Sequence, residues 1–343
     1  MPGAHRAVDR GGDRAGGASV RRWIARVLAA LALAAGALFV LGPYEPVEVG
    51  ASFEPRRFGE GVGVYLETVE SYHGDIRPGA EKRVVWAGQR ETRTPLSVVY
   101  LHGFSASAAE IRPVPDRVAE ALGANLVYTR FRGHGRDGDA MAEGSVKAWM
   151  EDAAEALALG RATGERVIVV ATSTGASIAT VALADAQMSE RVAGAVLISP
   201  NYGLRHPMAP LLTLPAARHW VPMLAGSRRS FEPRSPEQAA HWTTEYPSVA
   251  VFPMAAVVKH ARGLDHGAIG VPALFIFSDE DGVVRADMTA DVMARWGGET
   301  ARVIPKSGPD DDPLRHVIAG DIMSPGATDE VTEAIIGWVR GLK

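Results

Sequence analysis

The sequence contains no cysteine among its 343 residues. This absence excludes disulfide bonds, thiolate metal sites and an acylated lipoprotein cysteine, and it leaves the redox compartment undetermined. No Gly-rich phosphate loop, paired-histidine metal helix or dinucleotide fingerprint follows any apolar run, and no internal repeat is visible. We therefore predict neither a cofactor nor a bound metal.

The formal charge of −4 is distributed unevenly along the chain. Residues 1–26 contain six arginines and two aspartates, so this segment carries +4 and the remainder carries −8. A mildly acidic body argues against nucleic-acid binding. The apolar content of 47% in 343 residues is enough for one large α/β domain with an insertion, or for two domains.

The first forty residues combine a basic segment with a long apolar one. Residues 1–22 are rich in Gly, Arg and Ala, which predicts a disordered tail. Residues 23–41 are almost wholly apolar, and a helix of this length spans about 28 Å, close to a bilayer core. The arginines precede it, so we predict a signal anchor with the tail in the cytoplasm and the body outside. A cleaved signal peptide is the alternative, but its A-x-A-like sites near Ala35 lie within the apolar run.

Apolar runs alternate with helical patterns from residue 82 onward, after a Pro-rich linker and N-terminal extension over residues 42–81. Strands that are apolar on both faces are typical of a mainly parallel sheet covered by helices on two sides. The pattern breaks at about residues 201–262, which are rich in Pro, Trp, His and Met. We interpret this stretch as a cap insertion over the carboxyl edge of the sheet, within an α/β domain over residues 82–343.

The secondary-structure prediction leaves residues 58–72 open between a helix and a strand. The predicted strands are residues 82–87, 96–101, 125–130, 167–170, 193–199, 273–277 and 301–305. The predicted helices are residues 106–122, 145–161, 285–296 and 329–342, with prolines interrupting the early part of the first.

One strand stops at a serine that is flanked by small residues. Residues 167–170 are followed by Ala171-Thr-Ser173-Thr-Gly175 and then by small residues at helical spacing. This pattern predicts a strand, a tight turn and a helix, with the hydroxyl of Ser173 lifted off the sheet edge. The usual pattern around such a serine is G-x-S-x-G, and Ala171 stands at the position of its first glycine. Alanine adopts fewer backbone angles than glycine. Taken alone, the pattern also fits a buried turn whose serine only caps a helix.

Acids and a histidine follow later strands in the order Ser, Asp, His, which is the order expected of a hydrolase triad. Asp279 and Asp281 follow the strand over residues 273–277, and His316 follows the last strand. We predict that Ser173 is the nucleophile, His316 the general base and then the general acid, and Asp281 the residue that orients the imidazole. Asp279 is the second choice, and either aspartate could simply form a turn.

Acyl transfer also needs main-chain N–H groups that face the oxyanion beside the nucleophile. We assign one to Thr174, at the start of the helix after the serine. We assign the other to Phe104, because His102-Gly103 precedes it at the end of an early strand and the glycine allows a close approach of the backbone.

Two further groups of polar residues receive no functional assignment. His260, Asp265 and His266 have no compact metal-binding spacing, so we expect a solvated helix end. Residues 310–312 are three consecutive aspartates, and we expect a solvated acidic loop.

Five motifs together resemble the α/β-hydrolase superfamily, and within it the branch of monoacylglycerol-lipase-like and proline-iminopeptidase-like serine hydrolases. The resemblance covers about residues 82–341, and it implies the nucleophile, acid, base and oxyanion donors assigned above. It also implies that His134 is a structural turn residue. The motifs are His102-Gly-Phe104, Gly133-His-Gly135, Thr172-Ser-Thr-Gly175, Asp281-Gly-Val-Val and His316-Val.

We expect hydrolysis of a carboxylic ester through an acyl-serine intermediate, without a cofactor. The insertion is apolar at residues 208–215 and 220–224, which together with a membrane anchor favours a lipid or other medium-to-long acyl ester. Acyl transfer and peptide cleavage use the same triad. A membrane-tethered binding protein with an inactive site, and a scaffold that acts through its membrane helix, are alternatives from other classes.

Overall fold

The computed structural model describes residues 13–342, with side chains from residue 20 onward. These residues form two compact units. One holds the first helix, the residues up to Tyr44 and Leu214–Ala216, and the other holds Glu45–Thr213 and the chain from Ala217 onward.

Helix α1, Asp13–Leu41, makes up most of the first unit. Its 22 residues Val20–Leu41 are long and apolar enough to cross a membrane, which is true of no other helix in the described part of the chain. The helix begins earlier than predicted. The sequence predicts a disordered tail up to residue 22, whereas residues 13–22 are helical. Ala and Arg favour helix, and extending an existing helix costs less than nucleating one. The rest of the predicted tail, residues 1–12, lies outside the described residues.

Strands and helices alternate along the second unit, as the sequence predicts. In chain order its elements are α2 (Val62–Ser71), β1 (Arg83–Val85), β2 (Thr94–Leu101), α3 (Val114–Leu122), β3 (Asn125–Tyr128), α4 (Val146–Thr163), β4 (Gly164–Thr172), α5 (Thr174–Leu183), β5 (Val192–Ile198), α6 (Ala217–Ala225), β6 (Arg228–Ser230), α7 (Pro236–His241), β7 (Glu245–Pro247), α8 (Val251–Arg262), β8 (Ala273–Ile276), α9 (Ala286–Ala294), β9 (Thr300–Val303) and α10 (Thr328–Gly341).

Seven of the described strands form one sheet in the order β1-β3-β2-β4-β5-β8-β9. Strand β1 runs antiparallel to β3 at one edge, and all the other neighbouring pairs are parallel. Alternate residues of the central strands enter two separate apolar cores, one on each face. The α/β fold and the two-sided burial predicted from the apolar runs are therefore confirmed. The parallel strands end at one edge of the sheet, which is where the polar residues singled out above follow them.

The N-terminal extension is packed onto this unit rather than running as a free linker. The rings of Phe53, Phe58 and Tyr65 contact one another, with centroids 5.0 to 5.6 Å apart. Burial of these aromatic rings outweighs the turn-forming tendency of the nearby prolines. The segment left open between helix and strand contains α2.

Helix α3 is shorter than predicted. It begins at Val114, whereas the sequence suggested a helix from residue 106. Pro113 is its N-cap and has no main-chain N–H to continue a helix from the preceding residues. Residues 108–113 form turns instead.

The cap insertion ends earlier than predicted. Residues 251–262 form α8, which packs against α5 in the main fold and precedes β8. Its side chains are apolar and buried over most of the helix, so its sequence lacks the amphipathic period that identifies a surface helix. The cap therefore comprises about residues 201–250, including α6, α7 and the antiparallel pair of β6 and β7.

Candidate active site

Ser173 lies in the tight turn between β4 and α5. Its φ of 53° and ψ of −119° are unusual for a residue other than glycine, so the backbone is strained at this position. The turn is held by the Ser173 N–H, which donates to the carbonyl oxygen of Ile198 at 2.9 Å. A Cβ atom at Gly175 would collide with the carbonyl oxygens of Leu101 and His102, so this position requires glycine.

Alanine in place of the usual first glycine is accommodated within the strand. Ala171 is fully buried, and it pairs with Leu101 on β2 and with Leu197 on β5. Its extended backbone does not need the freedom of glycine. The turn that follows still holds Ser173 in the conformation described above.

The structure brings Ser173, His316 and Asp281 together from three separate loops. The Nε2 atom of His316 lies 3.0 Å from Oγ of Ser173, and its Nδ1 atom lies 2.8 Å from Oδ2 of Asp281. The other carboxylate oxygen of Asp281 accepts the N–H groups of Val283 and Val284, both at 2.8 Å. The carboxylate of Asp281 can only accept a hydrogen bond, so Nδ1 of His316 must carry the proton that it donates. The Nε2 atom is then unprotonated and can accept the proton of Ser173.

Neighbouring charges and burial shift the pKa of His316 in opposite directions. Burial disfavours the imidazolium, but the carboxylate of Asp281, assisted by Glu110 and Asp312, favours it more strongly. The net effect raises the pKa of His316 above its usual value. Such a histidine accepts a proton readily, which is the property that a general base needs.

Asp279, the second choice for the acid, lies outside this arrangement. Its side chain is 65% exposed and forms an ion pair with Arg302 at 2.6 Å. Asp281, by contrast, is 1% exposed. The structure therefore places Asp281, the first choice from the sequence, beside His316, and Asp279, the second choice, at the surface.

The two main-chain N–H groups assigned to the oxyanion, those of Phe104 and Thr174, have no acceptor among residues 13–342. Both residues line the same cavity as Ser173. Thr174 is also the first residue of the ten-residue helix α5, whose N-terminus favours negative charge. Together they are available to stabilise an oxyanion beside the serine.

A cavity of about 730 Å³ opens over Ser173 and His316. Much of its wall comes from apolar side chains of the cap and of α8. These include Leu211, Leu212, Trp220, Val221, Val251 and Met254.

Sequence reasoning was wrong about the acidic loop over residues 310–312. Asp311 and Asp312 are buried rather than solvated. The Oδ2 atom of Asp312 accepts the N–H groups of His316 and Val317, both at 3.1 Å, and Oδ1 accepts that of Leu314 at 3.2 Å. This carboxylate therefore organises the loop that carries the histidine. A run of acids has the composition of a solvated loop, so only the fold identifies this role.

Sequence reasoning also missed Glu110, which belongs to no motif. Its carboxyl group is buried in the cavity wall, where its Oε2 atom accepts the N–H of Gly103 at 2.7 Å and the hydroxyl proton of Tyr100 at 2.9 Å. Burial raises the pKa of Glu110.

Two other buried histidines near the site have structural roles. His102 donates from Nδ1 to the carbonyl oxygen of Gly103 at 2.8 Å and accepts the N–H of Phe131 at Nε2. Burial lowers the pKa of His102 to about 4, so this ring is neutral. Burial also lowers the pKa of His134, in the turn where the resemblance implies a structural residue.

The comparisons with known families agree with this fold. Residues 93–307 match the family described as serine aminopeptidase, S33, and because the match covers more than half of the chain, the chain belongs to this family of α/β-hydrolases. His316 lies beyond the matched residues, so its position is known from the fold alone. No curated protein sequence matches the chain.

Three solved structures illustrate the likeness in fold. A metagenome-derived lipolytic enzyme is 20% identical, with a TM-score of 0.62 over 77% of this chain and 99% of its own. A soluble variant of the monoglyceride lipase from Saccharomyces cerevisiae is 14% identical, with a TM-score of 0.54 over 77% of this chain and 92% of its own. The monoacylglycerol lipase of Paleococcus ferrophilus is 15% identical, with a TM-score of 0.53 over 76% and 98%.

Proposed function

We propose that this protein is a membrane-anchored serine hydrolase that cleaves carboxylic esters. The observation that carries the proposal is the continuous line of hydrogen bonds from Asp281 through His316 to Ser173, at the base of an apolar cavity. Membership in a hydrolase family supports the same reaction class.

Acylation begins when Oγ of Ser173 attacks the ester carbonyl carbon and its proton passes to Nε2 of His316. Asp281 stabilises the imidazolium that forms. The carbonyl oxygen becomes an oxyanion, which accepts hydrogen bonds from the N–H groups of Phe104 and Thr174. As the tetrahedral intermediate collapses, the bond to the alcohol oxygen breaks and His316 returns the proton to that oxygen. The alcohol leaves and the acyl group remains on Ser173.

Deacylation repeats these steps with water as the nucleophile. His316 takes a proton from water, the resulting hydroxide attacks the acyl carbon, and the same two N–H groups receive the second oxyanion. When this intermediate collapses, Ser173 recovers its proton from His316 and the carboxylic acid leaves. No cofactor enters any of these steps.

The substrate class proposed is an ester with a medium-to-long acyl chain, such as an acylglycerol. The apolar wall of the cavity suits an acyl chain, because burying each methylene group favours binding by about 0.8 kcal/mol. Two of the similar structures are monoglyceride lipases by their own descriptions. The apolar helix over Val20–Leu41 would keep the enzyme at a membrane, with the body outside the cytoplasm by the positive-inside rule.

The test uses the full-length chain, purified in detergent, with a series of p-nitrophenyl esters from acetate to palmitate and with monoacylglycerols. We expect a preference for chains well beyond acetate. We expect Ser173→Ala and His316→Ala to reduce kcat by about four orders of magnitude or more. A fluorophosphonate probe should label the wild type and not Ser173→Ala. Ser307→Ala, which makes the same change at an exposed position, is the matched control.

Two outcomes would contradict the proposal. A folded wild type that neither hydrolyses esters nor reacts with the fluorophosphonate would favour the binding-protein alternative. Aminoacyl p-nitroanilides, assayed in parallel, test peptide cleavage, since the family description names aminopeptidases. A preference for acetate over every longer chain would remove the lipid ester as the substrate class.

A further inference from the structure

Glu110 is a buried carboxyl group in the active-site cavity that the proposed mechanism does not use. It lies in the turns between β2 and α3, and its side chain forms part of the cavity wall together with Ser173, Thr174 and His316. The residue is only 3% exposed. No basic residue among those described forms an ion pair with it.

Burying a carboxyl group at this position lowers the stability of the fold unless the group is hydrogen-bonded. A leucine of similar size would leave the N–H of Gly103 and the hydroxyl of Tyr100 without this acceptor. The hydrogen bonds of Glu110 go to the loop after β2, through the N–H of Gly103, and to β2 itself, through the hydroxyl of Tyr100.

The loop held by Glu110 is the one that supplies an oxyanion donor. Gly103 immediately precedes Phe104, whose N–H is without an acceptor among the described residues and belongs to the cavity wall. A Cβ atom added to Gly103 would lie 2.5 Å from Oε1 of Glu110 and 3.2 Å from Cβ of Ser173, so carboxyl, loop and nucleophile are in close contact. Fixing the Gly103 N–H restricts the torsions that orient the next peptide group.

We propose that Glu110 is a positioning residue for the oxyanion site, which holds the Gly103 N–H so that the N–H of Phe104 faces the substrate carbonyl. This inference rests on the proposed function, because it assigns Glu110 to the same acyl-transfer site. Glu110 touches the loop rather than the reacting atoms, so it acts through Phe104.

The proposed role depends on an acceptor oxygen and not on a negative charge. The titratable groups that face Glu110 are Tyr100 on β2 and His316 on its loop, and burial keeps the pKa of Glu110 above the usual range. Both the ionised and the neutral carboxyl can accept from Gly103 and Tyr100 through the same oxygen. Glutamine also offers a carbonyl oxygen at this distance, whereas leucine offers none.

The experiment compares Glu110→Gln and Glu110→Leu in the full-length chain on the best p-nitrophenyl ester. We expect kcat of Glu110→Leu to fall about 100-fold with KM within about twofold, since removing one oxyanion donor costs about 10² to 10³ in kcat. Its affinity for a trifluoromethyl ketone, which forms an oxyanion on Ser173, should fall by a similar factor. For Glu110→Gln we expect kcat and inhibitor affinity within about threefold of wild type.

Matched variants separate this role from a general loss of structure. Glu120→Leu and Glu120→Gln make the same changes at an exposed position and should leave kcat and KM unchanged. Thermal unfolding and near-UV circular dichroism show whether each variant is folded. If Glu110→Leu does not fold, Glu110→Gln alone decides, because a tenfold or larger loss of kcat in that folded variant overturns the proposal.

Two other results overturn it. One is a folded Glu110→Leu with the kcat of the wild type, and the other is a loss confined to KM. Failure of the proposed function is distinguishable, since the wild type itself would then show no esterase activity and no fluorophosphonate labelling.

Discussion

The carboxylate of Asp281 lies 2.8 Å from Nδ1 of His316, whereas Asp279, two residues earlier, pairs with Arg302 at the surface. The structure therefore supports different roles for two aspartates in the same loop. We predict that Asp281→Asn lowers kcat by about 10² to 10⁴, because the amide no longer favours the imidazolium and can hold the wrong tautomer. Steady-state kinetics on the best ester measure this loss.

The matched change Asp279→Asn makes the same substitution at the exposed position. We expect its kcat and KM to stay within about twofold of wild type, since exposed ion pairs contribute little. Equal losses in the two variants would contradict the assignment of the acid to Asp281.

The raised pKa of His316 predicts a specific pH dependence. The base works only when neutral, so activity disappears as the pH falls through the pKa of this histidine. Burial lowers that pKa, but Asp281, Glu110 and Asp312 together outweigh burial and raise it, so we expect the acid limb of kcat/KM to have its midpoint above 6.5, the usual value for histidine. In Asp281→Asn the midpoint should move to lower pH. A wild-type midpoint at or below 6.5 would refute the prediction.

Asp312 accepts three N–H groups of the loop that carries His316, so its removal leaves buried donors without a partner. We predict that Asp312→Ala lowers the free energy of unfolding by about 1 to 3 kcal/mol, and also lowers kcat. Denaturant unfolding followed by tryptophan fluorescence measures the first effect. The neighbouring, exposed Asp310→Ala is the control, and comparable stability of the two variants would show that the loop does not depend on Asp312.

Val221 and Met223 lie on the same cap helix, α6, but only Val221 lines the cavity, and Met223 is 78% exposed. We predict that Val221→Trp shifts the preferred ester to a shorter acyl chain, because the larger ring occupies space that the chain would fill. Met223→Trp should leave the chain-length profile unchanged. The ester series measures both, and an unaltered profile in Val221→Trp would place the acyl chain elsewhere.

Much of the fold follows from local patterns. The apolar runs that become β2, β4, β5 and β8 are buried on both faces in a parallel sheet, so period and composition are enough to identify them. The patterns were less informative where burial overrides local preference. Phe53 packs within a segment predicted as a linker, and the apolar helix α8 lacks the period that would separate it from the cap.

The sequence by itself determined the class of the sheet and the turn at Ser173, because these depend on neighbours along the chain. It also determined the order of serine, acid and histidine, which is the order of the chain itself. It favoured Asp281 without excluding Asp279, and it could not recognise Glu110 or identify the burial of Asp312. Those properties depend on which groups meet across the sheet edge, such as the Oγ of Ser173 and the Nε2 of His316, 143 residues apart and 3.0 Å from each other. Only the tertiary structure decides such distances, since burial and hydrogen-bond partners are set by segments that are remote in sequence.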